Sequence, residues 1–114
     1  MKYRGSCHCG KVKIGFEGEF GAAISCNCSI CSKRGTLLWF APRDSLQVTG
    51  EEELATYTFN KHVIKHRFCK TCGILPFGEG VDPKGNRTAA INIRCLEDFD
   101  FSQVPLHPYD GKSA

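Results

Sequence analysis

The sequence predicts a mainly β protein with little helix, and three observations lead there. Apolar residues alternate with polar ones instead of recurring every three or four positions. Turn-forming residues interrupt these runs at short intervals. Seven of the eight cysteines fall into three tight groups, Cys7-His8-Cys9, Cys26-Asn27-Cys28-Ser29-Ile30-Cys31 and Cys69-Lys70-Thr71-Cys72. Such groups let metal cross-links pin short strands around a small core.

Val12, Ile14 and Phe16 alternate with Lys11, Lys13, Gly15 and Glu17, the pattern of a half-buried strand. Leu37-Leu38-Trp39-Phe40 is a short apolar run stopped by Pro42. Leu54, Tyr57 and Phe59 mark a third strand, Val63-Ile64 leading into Phe68 a fourth, and Ala89, Ile91 and Ile93 a fifth. Turns are expected at Glu17-Gly18, Thr49-Gly50, Gly78-Glu79-Gly80 and Asp82 to Asn86. One helical turn is expected over Ser29 to Arg34, ended by Gly35, and another at Leu96-Glu97-Asp98. The tail from Ser102 to Ala114 carries Pro105 and Pro108 and reads as surface coil. Eight Phe against one Met suggest an aromatic core.

A length of 114 residues implies one zinc-binding domain over residues 1–114. The net charge of +3 is scattered, which argues against a nucleic-acid partner, since such proteins gather Lys and Arg on one face. Neither a secretory h-region nor an apolar run of the ~20 residues that a membrane span needs is visible. The expectation is a cytoplasmic protein with no membrane partner, whose reduced thiols favour metal over disulfide.

Closely spaced thiolates repel one another unless a cation lies between them, and zinc is the usual one. Cys69-x-x-Cys72-Gly73 has the form of a zinc knuckle: the turn brings two sulfurs to about 3.8 Å, the edge of a tetrahedron with Zn–S near 2.3 Å. Gly73 permits a positive φ just past the second ligand. Cys7-His8-Cys9-Gly10 repeats that logic. Together Cys7, Cys9, Cys69 and Cys72 make a closed, structural set that spans about sixty residues of chain. Cys7 and Cys9 have an alternative partner in the middle group. Cys26, Cys28 and Cys31 place three thiolates within six residues. Three ligands leave one zinc position for water, for an incoming thiol, or for closure by Cys95 or a histidine. A thiol bound there is deprotonated and becomes a nucleophile suited to an aldehyde carbon.

Tyr3-Arg-Gly-Ser-Cys-His-Cys-Gly10, Cys26-Asn-Cys-Ser-Ile-Cys31, His66-Arg-Phe-Cys-Lys-Thr-Cys-Gly73 and Asn92-Ile-Arg-Cys-Leu96 occur in this order between Tyr3 and Gly111. With them the chain resembles the glutathione-dependent formaldehyde-activating enzyme family, which also includes centromere protein V. The resemblance implies a β-tent-like fold and two zinc ions, a structural one at Cys7, Cys9, Cys69 and Cys72 and a catalytic one at Cys26, Cys28 and Cys31. It implies a carbon–sulfur lyase whose partners are a small thiol and an aldehyde. Glutathione, the co-substrate, and formaldehyde combine to S-(hydroxymethyl)glutathione. Glutathione carries two carboxylates, so Lys33 and Arg34, directly after Cys31, are its candidate binding residues.

The remaining candidates read more plainly. His8 projects from between two ligands, His62 reads as a surface residue, and His66 as a half-buried strand histidine. His107 lies in the tail. Trp39 and Phe40 either wall a pocket or fill the core. The competing reading is a non-catalytic zinc module that binds protein or nucleic acid. A further one has Cys28 and Cys31 cycling between zinc and disulfide.

Overall fold

The computed structural model describes residues 2–18, 23–26, 29–59, 61–97, 99 and 104–109. Among the described residues, ten strands and one short α-helix follow one another: β1 (Lys2–Ser6), β2 (Lys13–Glu17), β3 (Ala23–Cys26), α1 (Cys31–Arg34), β4 (Leu38–Pro42), β5 (Leu46–Thr49), β6 (Leu54–Tyr57), β7 (Lys65–Cys69), β8 (Phe77–Val81), β9 (Arg87–Asn92) and β10 (Leu106–Tyr109). They form a three-stranded sheet, β1-β2-β5, and a seven-stranded sheet, β10-β3-β4-β9-β8-β7-β6. All pairings are antiparallel except β10 with β3. The mainly β expectation holds. No helix among the described residues is long and apolar enough to cross a membrane.

The core lies where the two sheets meet. Ile14, Phe16 and Leu46 from the small sheet join Ala41, Phe77, Ala89 and Ile91 from the large one. Strand alternation puts these residues on one face, and at its margin Tyr3 stacks on Phe16 while Trp39 lies tilted against it, each with ring centroids 5.2 Å away. The core is more aliphatic than the Phe count suggests, because Phe40 is 51% exposed. Its odd-numbered neighbours on β4, Trp39 and Ala41, take the core side.

Several expectations change. Gly78-Glu79-Gly80 is no turn but the middle of β8. There Glu79 is gripped by Arg67 at 2.6 Å and Arg43 at 3.0 Å, so a sequence rich in Gly stays extended. The turn lies in the next five residues, where Asp82 accepts from the backbone N–H of Lys84 and Asn86 and Gly85 has φ 87°. The helical turn expected at Leu96 falls earlier, over Ile93–Cys95, because the Asn92 side chain accepts from the Arg94 N–H. Leu96 bridges to Gly5, and Asp98 lies outside the described residues. Val63 and Ile64 precede β7 and are 54% exposed. The tail contributes a strand: β10 lies parallel to β3, with Tyr109 beside Cys26. Backbone pairing, which side-chain patterning does not report, holds it there. Helix α1 appears as expected, ended by Gly35 at φ 73° with its N–H on the Cys31 carbonyl.

Candidate functional site

Cys7 follows β1 and Cys69 closes β7, so two strands of different sheets carry the two cysteine turns toward each other. Each turn is built alike. The Cys7 N–H donates to the Val12 carbonyl and the Cys69 N–H to the Ile74 carbonyl, both five residues on. Gly10 at φ 82° and Gly73 at φ 81° follow the second cysteine of each pair, as the sequence anticipates for Gly73. Lys11 reaches across to the Thr71 hydroxyl at 3.4 Å.

The result is one thiol cluster. The sulfurs of Cys7, Cys9, Cys69 and Cys72 all lie within 4.8 Å of one another. Cys9 Sγ is 3.6 Å from both Cys7 Sγ and Cys69 Sγ, close to the edge of a zinc–sulfur tetrahedron. The Val12 N–H points at Cys7 Sγ at 3.4 Å, the kind of backbone donor that spreads thiolate charge. Protons divide unevenly among the four. The Lys11 backbone N–H favours the Cys9 thiolate, but desolvation and the neighbouring sulfurs outweigh it and push this thiol up to about 11. Desolvation also acts on Cys72, yet the Ile74 and Cys9 N–H groups and the adjacent thiols hold it at about 6. Backbone donation from Cys72 lowers Cys69. Such a cluster already carries negative charge at neutral pH, and its donor number, softness and spacing fit zinc.

The middle cysteines occupy a different place. Cys26, at the end of β3, and Cys31, buried at the start of α1, line one cavity of about 300 Å³. Cys28 lies outside the described residues. The cavity sits on the face of the large sheet turned away from the core. Strand register explains it: Phe40, Ala90, Gly78, His66 and Tyr57 form a row across β4, β9, β8, β7 and β6. Small residues at Ala90 and Gly78 keep the floor low between Phe40 and His66. Among the described residues, no trio of thiol, imidazole or carboxylate groups other than those of the four-cysteine cluster converges closely enough to hold an ion.

Arg34 lines this cavity, whereas Lys33 is exposed and lines a neighbouring depression with Tyr57 and Phe59. His66, taken from sequence as an ordinary strand residue, is a buried cavity residue. Tyr109 also lines the cavity, where the tail strand brings it. His66 opens one of the motifs that carry the resemblance, but nothing local marked its side chain as a cavity residue, and Tyr109 lay in no motif, since register and the parallel β10–β3 pairing are long-range. Cys95 does not line the cavity. It packs at the Leu75 carbonyl and the Asn92 amide, and burial, then the nearby Cys7 and Cys72, push it up to about 11. His8 and His107 are exposed. His62 is exposed and bonded to Thr58. Of the two aromatic candidates, Phe40 walls the cavity and Trp39 flanks the core. A larger groove of about 700 Å³ over the small sheet carries no thiol or imidazole.

These features agree with what the chain is similar to. The family described as glutathione-dependent formaldehyde-activating enzyme matches residues 2–109. The crystal structure of a Rhodobacter sphaeroides protein is 34% identical, covers 91% of this chain and 99% of its own, and superposes with a TM-score of 0.77. With the family match spanning both cysteine turns, the chain belongs to the glutathione-dependent formaldehyde-activating enzyme family.

Proposed function

We propose that the protein is a zinc-dependent carbon–sulfur lyase. Its reactants are glutathione and formaldehyde, and its product is S-(hydroxymethyl)glutathione or a related thiol–aldehyde adduct. In this reading each chain holds two zinc ions. Cys7, Cys9, Cys69 and Cys72 hold a structural one, and Cys26, Cys28 and Cys31 hold the one that serves catalysis. The observation that carries the reading is the cavity shared by Cys26 and Cys31, apart from the closed four-cysteine cluster.

Cys26, Cys28 and Cys31 would hold a zinc ion whose chemistry would favour an incoming thiol in its thiolate form. The chain's own residues do the rest. Apolar walls from Ile24, Leu38, Phe40 and Phe59 exclude water around the reacting sulfur. Arg34 supports the reading as the cation that orients a carboxylate of glutathione, with Lys33 beyond the rim for the second. Holding thiol and aldehyde together converts a two-body encounter into a local one. The four sulfurs of the closed cluster are not joined by disulfides, which suits a reducing, cytoplasmic setting.

The test uses zinc-replete protein with glutathione and ¹³C-formaldehyde, following adduct formation by NMR. Acceleration above the spontaneous rate, lost in Cys31→Ser while one zinc per chain remains, is the expected result. An uncatalysed rate with both sites loaded removes the lyase assignment.

A further inference from the structure

His66 stands in β7 and is only 8% exposed. Its ring is held from two directions. Phe59 stacks on it, with centroids 5.4 Å apart and planes 23° from parallel. Arg34, from α1, places Nη1 at 3.5 Å from His66 Nδ1. A guanidinium has donors only, so Nδ1 is the acceptor in this pair. In a neutral imidazole the single proton is then on Nε2. That nitrogen is buried and has no hydrogen-bond partner. Burial first, and the Arg34 charge second, lower the pKa of the ring, which keeps it neutral at pH 7. A buried N–H with no acceptor is destabilising, and here it belongs to a residue of the cavity that holds two thiols.

We propose that His66, as a neutral imidazole, donates a hydrogen bond from Nε2 to the aldehyde-derived oxygen of the thiol adduct bound in the cavity. The inference rests on the lyase reading. In the forward direction the thiolate sulfur forms a bond to the aldehyde carbon, the C=O π pair moves onto oxygen, and the oxygen becomes an alkoxide. The proton released earlier by the thiol returns to that oxygen through solvent, and His66 keeps its own. In the reverse direction the hydroxyl loses its proton to solvent as the carbon–sulfur bond breaks. A desolvated donor with no other partner favours the charged oxygen more than the carbonyl, which is where catalysis gains. A neutral imidazole can do this without proton transfer.

Two variants and a spectrum test the proposal. His66→Phe keeps the stack on Phe59 and removes the N–H; His66→Gln restores a donor near the Nε2 position. With glutathione and formaldehyde, kcat/KM should fall about 100-fold in His66→Phe and stay within about 10-fold of the parent in His66→Gln. Zinc content should be unchanged in both. Imidazole ¹⁵N NMR of the unliganded protein should show His66 protonated on Nε2 and bare on Nδ1 at pH 7, with its titration displaced to the acid side of an ordinary histidine. Full activity in His66→Phe overturns the donor role, as does a bare Nε2. Equal loss in both variants, or an acid limb of the pH profile that His66→Gln abolishes, overturns it in favour of a packing or general-base role. A parent protein that gives no acceleration overturns the lyase reading and the donor role together, which separates that failure from the others.

Discussion

At the level of single side chains, the four-cysteine cluster has the most to lose from one substitution. Cys69 is fully buried beside Val12 and shares protons with Cys9 and Cys72. Cys69→Ser should lower the bound zinc by one per chain and drop the melting temperature sharply, because structural zinc binding is folding free energy on the order of 10 kcal/mol. A strong chelator should do the same to the parent protein. Calorimetry with metal analysis checks both, and an unchanged melting curve after complete zinc removal would refute the structural role. Metal affinity should also weaken on acidification, since protons compete for the thiolates that Cys69 and Cys72 hold below the usual thiol range.

Turns rather than strands govern how the cysteine pairs meet. Gly50, between β5 and β6, has φ 85°, and a Cβ there would lie 2.0 Å from the Lys11 carbonyl oxygen. Its own carbonyl accepts from the Glu53 N–H, and the Glu53 carbonyl accepts from the Lys70 N–H of the second cysteine turn. Gly50→Ala therefore strains the backbone and pushes the two turns apart. A loss of about 3 kcal/mol is expected in urea unfolding, with weaker zinc retention. A loss below about 0.5 kcal/mol would show that the Lys11 loop yields freely. The same reasoning marks Gly5, whose Cβ would meet the Cys95 carbonyl oxygen at 2.4 Å.

Across the assembled sheets, Glu79 acts as an electrostatic hub. Arg43 before β5, Arg67 on β7 and Arg87 on β9 all reach its carboxylate, and Arg43 also lies over the Phe77 ring. Burial alone would raise the Glu79 pKa, but hydrogen bonds from Arg67 and Arg43 and their charges win and lower it. A carboxylate lowered in the folded state adds stability above its unfolded value of about 4.5, and this stability is lost as pH falls below that. Glu79→Gln should cost about 3 kcal/mol at pH 7, and its stability should be flatter than the parent's between pH 5 and pH 3. Equal acid sensitivity in the two proteins would place the acid-labile contact elsewhere.

The amino-acid order alone was enough for the local chemistry. Alternation on β2 and β9, the short apolar run of β4, the one-turn helix ended by Gly35, and the left-handed Gly73 after Cys72 follow from short-range sterics and patterning. The pairing of Cys7 and Cys9 with Cys69 and Cys72 was legible as the arrangement that satisfies every pair, though an alternative partner stayed open until the fold brought those sulfurs together. Tertiary structure alone decided the rest. Two-residue periodicity tells which side chains share a face but not which strand lies next to which. The parallel β10, the row of Phe40, Ala90, Gly78 and His66, and the cavity they form with Cys26 and Cys31 therefore had no local signal. His66 looked ordinary for the same reason: its buried Nε2 and its contact with Arg34 come from strand register and helix placement, which are set by packing between distant segments of chain.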